Sequence, residues 1–275
     1  MSNFVSISPP FLGTYLKTFV DSESYLLLIG MAPVEAKLLF YLINEWKKNG
    51  LPEDFTPPAT PAPAPTPPPP PPAPPVVAST AAGHTAYSDN SFMPCRYLDR
   101  HRVGRVGPNQ ILTRFQLQCD AAQNHLLRYN FETATLAVNG VTMTVREEER
   151  VTPADDGADL DCCYLDRQLV RGPPGTVLTG FQLKSDTRNI WYEYTYAYLY
   201  ANNVKYTYEV HDVRRAETGW DHGAWCREVR WLDRQNVAVP EGALLIGFKL
   251  NRNDTNMNYE YWYVRAAALK EESLP

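Results

Sequence analysis

The chain has 275 residues, 44% of them hydrophobic, 12% aromatic and 21% charged, and a formal net charge of −5. That is enough chain for one large domain or two modest ones, with enough apolar residue to fill a core. The acidic balance excludes a generally basic nucleic-acid binder, because neutralising phosphates requires a positive face, so no nucleic-acid partner is expected.

The N-terminal stretch offers no span for a membrane. Its most apolar part, Tyr25 to Ile43, is interrupted by Gly30, Pro33, Glu35 and Lys37, and charge at bilayer depth is costly. No basic region precedes Phe4-Val5 and Pro9-Pro10 breaks the run, so neither membrane insertion nor a secretory signal is expected. Residues 1–55 instead read as a small helical module. Pro33 suits a first helical turn, and Val34, Leu38, Leu39, Tyr41, Leu42 and Trp46 recur at helical spacing before Gly50 and Pro52 stop the run. So short a segment buries large side chains poorly by itself. The module is therefore expected to anchor the chain, by self-association (a trimer being one option) or by docking onto a capsid-like assembly.

Residues 56–75 hold thirteen of the 24 prolines, between Pro57 and Pro75. Such a run adopts polyproline II, a semi-rigid spacer rising ~3.1 Å per residue and so spanning ~60 Å. Docking of an SH3- or WW-like domain is the other use of such a segment, but it holds no Arg or Lys to orient one.

Residues 76–275 contain an internal repeat. Leu98-Asp99-Arg100, Leu165-Asp166-Arg167 and Leu232-Asp233-Arg234 recur at intervals of 67 residues. Each is followed by a second shared run: Leu112 to Leu117, Leu178 to Leu183, and Leu245 to Leu250. A third run comes next, Arg128-Tyr129-Asn130-Phe131, Trp191-Tyr192-Glu193-Tyr194 and Asn258-Tyr259-Glu260-Tyr261. The blocks fall near 96–160, 163–226 and 230–275.

Every block reads as β. Tyr192, Tyr194, Tyr196 and Tyr198 alternate with other residues, as do Tyr259, Tyr261 and Tyr263, which is the period of a strand. Asn109, Gly175 and Gly242 stand at equivalent places before the second run, each shortly after proline. Asn and Gly best tolerate the positive φ that tight turns impose. Further strands are expected at Val141–Val145 and Val204–Tyr208. The third block stops early, and residues 76–95 are expected to complete it by pairing with the last repeat, closing the ring and removing exposed edges. Three units of about four strands predict a mainly β, closed, pseudo-threefold head, a β-prism or alternatively a β-trefoil; blocks of 67 residues favour the prism.

Gly180-Phe181-Gln182-Leu183-Lys184, and Gly247-Phe248-Lys249-Leu250 followed by Asp254-Thr255-Asn256-Met257-Asn258, resemble the repeats of vitelline membrane outer-layer proteins. That resemblance implies a β-prism of lectin-like architecture. The first block departs from the pattern, with Arg114 in place of the glycine.

Two sets of residues carry candidate chemistry. Asp99, Arg100, Asp166, Arg167, Asp233 and Arg234 are expected to be structural, the arginines bonding to carboxylates or loop carbonyls; three equivalent polar ligand sites are the competing use. The loops after the Phe runs are rich in Asp and Asn beside aromatics, the combination that recognises a sugar's hydroxyls and its apolar face. Asp120, Asn124, Asp186, Asn189, Trp191, Asp254, Asn256, Asn258 and Tyr259 are the candidate ligand-binding residues, with ordinary turn formation as the competing explanation. Cys95, Cys119, Cys162, Cys163 and Cys226 show no CxxC spacing and read as reduced structural thiols. The five histidines lack metal-ligand spacing, and Asp221-His222 with Cys226 is the only local cluster resembling a nucleophile arrangement. No cofactor, metal or catalytic residue is expected.

An anchoring module, a stiff stalk and a repetitive β head together predict a non-catalytic spike- or fibre-like attachment protein. Its head would recognise a surface glycan or protein, and its place would be a virion surface or otherwise the cytoplasm. The alternative is a structural cementing, minor capsid or scaffold protein that binds other subunits of its assembly.

Overall fold

The computed structural model describes residues 41, 44, 45, 48, 49, 73–89, 95–104, 106–123, 125–156, 162–222, 229–253 and 256–272. Tyr41, Asn44, Glu45, Lys48 and Asn49 are helical. The expected N-terminal module otherwise lies outside the described residues, as does the proline spacer up to residue 72. The chain divides into two units between Pro70 and Pro71.

The second unit is mainly β. Its strands are β1 (Val76–His84), β2 (Ser88–Asp89), β3 (Arg102–Val103), β4 (Ile111–Cys119), β5 (Leu126–Val138), β6 (Val141–Thr142), β7 (Thr144–Val151), β8 (Asp155–Asp156) and β9 (Leu169–Arg171). They continue as β10 (Val177–Ser185), β11 (Asn189–Ala201), β12 (Val204–Thr207), β13 (Arg214–Glu217), β14 (Asp221–His222), β15 (Asn236–Ala238), β16 (Ala243–Asn253), β17 (Asn256–Arg265) and β18 (Lys270–Glu271). Three antiparallel sheets result, each built on one long hairpin: β4–β5, β10–β11 and β16–β17.

The hairpins share local detail that the sequence pattern dictates. Asn109, Gly175 and Gly242, in the turns leading into them, all have positive φ, at 57°, 80° and 74°. Each hairpin slips register at the same place, between Leu112 and Arg114, Leu178 and Gly180, and Leu245 and Gly247. An extra residue on one strand increases its local bend and twist.

Short strands pass from block to block in one direction. β3 pairs with β10, β9 with β16, and β15 with β4, so the first block donates to the second sheet, the second to the third, and the third to the first. The outer strands move likewise, β7 onto β11 and β13 onto β17. The margin of β5 has no preceding block to fill it. Residues 76–84 take that place, with Val76 opposite Ala137 and His84 opposite Asn130. The expected pairing of the N-terminal segment with the last repeat is thus replaced by pairing with the first, because the margin of the third sheet already belongs to β13.

The inner faces meet in one aromatic core. Phe115, Phe181 and Phe248 lie with ring centroids 4.7–4.9 Å apart. Tyr129 packs on Phe181, Tyr192 on Phe248 and Tyr259 on Phe115, at 5.8, 5.7 and 5.6 Å, all edge-on. Edge-on pairing sets the positive ring edge against the negative face of its neighbour. The tyrosine alternation of β11 is therefore a core stripe, with Tyr192, Tyr194 and Tyr196 buried. The hydroxyls of Tyr194 and Tyr261 donate to the carbonyls of Arg171 and Ala238 on donated strands, each at 3.0 Å.

Candidate functional site

The Leu-Asp-Arg triplets end 3₁₀ turns at Cys95–Arg100, Cys162–Arg167 and Val229–Arg234. Their leucines are buried, and Asp and Arg of one triplet serve different neighbours. Arg100, Arg167 and Arg234 stack over Tyr97, Tyr164 and Trp231, at 4.6, 4.6 and 4.0 Å from the ring centroids. They also donate to the Asp89 carbonyl (2.5 Å), the Asp155 carboxylate (3.0 Å) and the Asp221 carboxylate (3.1 Å). The aspartates reach the next sheet: Asp99 accepts from the Ser185 hydroxyl at 2.7 Å, Asp166 lies 3.7 Å from Arg252, and Asp233 stands beside the Cys119 thiol, which donates to the Arg230 carbonyl at 3.7 Å. Gln182 and Gln116 donate to the main-chain carbonyls of Asp99 and Asp233 at 2.6 and 2.9 Å. These six residues tie the turns to the sheets.

The residue after each triplet is a buried polar one, His101, Gln168 or Gln235. Gln168 accepts from the Thr152 hydroxyl, and Gln235 from that of Thr218. The same threonine oxygens accept the amide N–H of Tyr192 (2.9 Å) and Tyr259 (2.8 Å). His101 takes the glutamine's place in the first block, with Nδ1 2.8 Å from Thr85 Oγ1 and Nε2 2.8 Å from Ser88 Oγ. Thr85 Oγ1 accepts the Tyr129 N–H at 2.9 Å. A buried polar group needs such partners to offset its lost hydration. Nothing in the hydropathy pattern marks this device; its signal is the polar residue repeated after each triplet.

The loop candidates divide. Asp120 Oδ1 accepts the amides of Ala122 and Gln123, and Asp186 Oδ1 those of Arg188 and Asn189, all within 2.9 Å. The amides of Asn189 and Arg188, together with the Asn189 side chain at 3.2 Å, hold the Asp186 carboxyl below its ordinary range. These are turn-closing aspartates. Asn124 and Asp254 lie outside the described residues. Asn256 stands opposite His222 in the β14–β17 ladder. Asn258 is 0% exposed and donates to Glu217 and the Thr218 carbonyl, while its Oδ1 is left without a partner. Tyr259 is 3% exposed and belongs to the core. The expectation that Asn258 and Tyr259 face a ligand is corrected: both point inward, Tyr259 because its position is the core position shared with Tyr129 and Tyr192.

The surface aromatics at this end of the sheets lie elsewhere. Tyr87 is 36% exposed and Trp220 50%, each two residues beyond a clamping threonine. The short outer ladders next to them place Ser88 opposite Leu127, Asp155 opposite Ile190 and Asp221 opposite Met257. Arg128 covers the Tyr87 ring at 4.5 Å, and Trp191 is half-buried. Each sheet thus presents one aromatic beside the Asp- and Asn-rich turn, on the outer strand segment in the first and third sheets and on the hairpin in the second. The available signal for two of the three is an aromatic two residues after a threonine, Thr85-Ala86-Tyr87 and Thr218-Gly219-Trp220.

Clefts open where donated strands cross. One of about 310 Å3 is lined by Arg102, Gly104, Glu147, Gly180 and Thr195, and one of about 440 Å3 by Val77, Arg114, Glu132, Val239 and Pro240. At the equivalent place in the third sheet Arg171 stacks over Trp262 at 4.9 Å. Among the described residues no helix is long and apolar enough to cross a membrane.

No protein-family model, no curated protein and no solved structure matches this chain. The likeness to vitelline membrane outer-layer repeats therefore rests on the two glycine-phenylalanine runs, Gly180 to Lys184 and Gly247 to Leu250, and on the Asp254 to Asn258 segment.

Proposed function

We propose that the protein is a non-catalytic, spike- or fibre-like attachment protein. Its residues 1–55 anchor it, the proline segment displays it, and its β head, a closed pseudo-threefold β-prism, recognises a surface glycan. The one-directional exchange of strands and the central phenylalanines support the prism. The observation that carries the function is the aromatic at the same end of each sheet, Tyr87, Trp191 and Trp220, with the turn aspartates Asp120 and Asp186 already ordered in the first two sheets. A sugar packs its apolar face on such a ring while polar groups beside it meet the hydroxyls. Three such places on one head, multiplied by oligomerisation through the N-terminal module, offset weak single sites by raising the effective concentration.

The test is binding of the full chain to a glycan array and to candidate host cells, with Trp220→Ala, Tyr87→Ala and Trp191→Ala. Saturable binding that falls at least tenfold in the triple variant, with thermal stability retained, supports the assignment. Absence of binding, with the chain still joining a larger assembly, refutes it in favour of a cementing or scaffold role.

A further inference from the structure

We propose that His101 is an acid-released latch on the strand that joins the stalk to the head. β1 begins at Val76, directly after the proline segment ends at Pro75. The segment that comes after β1 is held by His101 at two points, Thr85 and Ser88, each 2.8 Å from a ring nitrogen. In the second and third sheets the corresponding outer segments are held through Gln168 and Gln235. A glutamine cannot change charge, so of these three buried clamps the one in the first sheet alone can gain a proton between pH 7 and pH 5.

The hydrogen-bond pattern assigns the neutral ring to the closed state. Thr85 Oγ1 accepts the Tyr129 N–H, and by analogy with Thr152 and Thr218, which donate to their glutamines, its hydroxyl proton is assigned to Nδ1. Nε2–H then donates to Ser88. A second proton would set N–H against O–H at Thr85 and would charge a ring that is 1% exposed. The groups facing it do not compensate. Thr85 and Ser88 are neutral, the Tyr129 ring from β5 stands edge-on at 6.1 Å with its phenol pushed up by burial, Arg100 opposes the imidazolium and Asp99 favours it. Burial first, and then Arg100, lower the pKa of His101 to about 4 from an ordinary 6.5.

Linkage gives the latch its sign. Opening the 85–88 segment returns His101 to water and to its ordinary proton affinity, so between pH 6.5 and about 4 the opened form binds more protons. The latch holds above this window and is progressively lost through it. From those two values the opening equilibrium rises about twentyfold between pH 7 and pH 5.

The test is amide hydrogen exchange on the full chain at pH 7 and pH 5, corrected for the intrinsic exchange rate. Peptides covering 76–89 should lose about twentyfold in protection, while 144–156 and 214–222, latched by glutamine, serve as internal controls and stay within twofold. His101→Gln should keep the neutral-pH protection of 76–89 and abolish its acid response. Equal protection of 76–89 at both pH values, or the same loss in all three segments, overturns the latch. Because the controls lie in the unmodified protein, the outcome stands even if the variant does not fold.

Discussion

Truncating Phe181 to alanine tests the aromatic centre most directly. Its ring is 4% exposed and meets four others, Phe115 at 4.9 Å, Phe248 at 4.7 Å, and Tyr129 and Tyr192 both at 5.8 Å. Replacing a buried Phe by Ala removes its transfer free energy and leaves a cavity, together costing about 3–5 kcal/mol. The neighbours belong to three different sheets and are held by them, so the site cannot collapse easily and the upper half of that range is expected. In a domain of this size that lowers Tm by about 10–20 °C. Thermal and urea unfolding of the full chain, followed by near-UV circular dichroism, reads the change. Phe115→Ala and Phe248→Ala should cost the same within ~1 kcal/mol, since each ring has an equivalent environment. Combining Phe181→Ala with Phe248→Ala should depart from additivity by about 0.5–3 kcal/mol, because the two share one cavity. Additive losses below ~1 kcal/mol for each single variant would refute the convergence of the three sheets on these rings.

The same geometry sets other outcomes. Thr152→Val should cost about 1–3 kcal/mol in urea unfolding, since it strands the Tyr192 amide and the Gln168 carbonyl in the interior, and Thr152→Ser should restore most of it. Gly180→Ala should cost about 1–3 kcal/mol, because a Cβ there would lie 2.7 Å from the Val103 carbonyl and 3.0 Å from Gly104 Cα. Gly219→Ala, which meets nothing within 4 Å, should stay within ~0.5 kcal/mol of the parent. Burial, with the Asp233 carboxylate beside it, pushes the Cys119 thiol up to about 12. Alkylation of Cys119 by iodoacetamide at pH 8, followed by peptide mass spectrometry, should therefore be about a hundredfold slower in the native chain than in urea; equal rates would contradict the raised proton affinity of this half-buried thiol.

Much of the plan is local and so was legible in the residues. The period-2 tyrosines declared strands, and Asn109, Gly175 and Gly242 marked turns whose φ values are positive. The triplets recur at 67-residue intervals, and their Asp and Arg contact neighbouring turns and sheets. The candidate site was legible only in part. Asp120 and Asp186 sit in the turns where their spacing placed them, but their carboxylates close those turns. Tyr259 looked like a loop aromatic because Asp254 and Asn256 precede it. Its equivalence to Tyr129 and Tyr192, an aromatic in every block next to the Phe run, pointed instead to the core.

By itself the sequence determined the mainly β character and the turn positions, since each depends on φ, side-chain period or composition within a few residues. Only the tertiary structure decided which sheet each strand joins. β3, β9 and β15 leave their own blocks, β1 fills the margin of β5, and Asp99 and Arg100 serve different neighbours. Those choices depend on which edges stand open once the long hairpins have packed their aromatic faces together. An edge vacancy is a property of the assembled sheets, and no window of residues contains it.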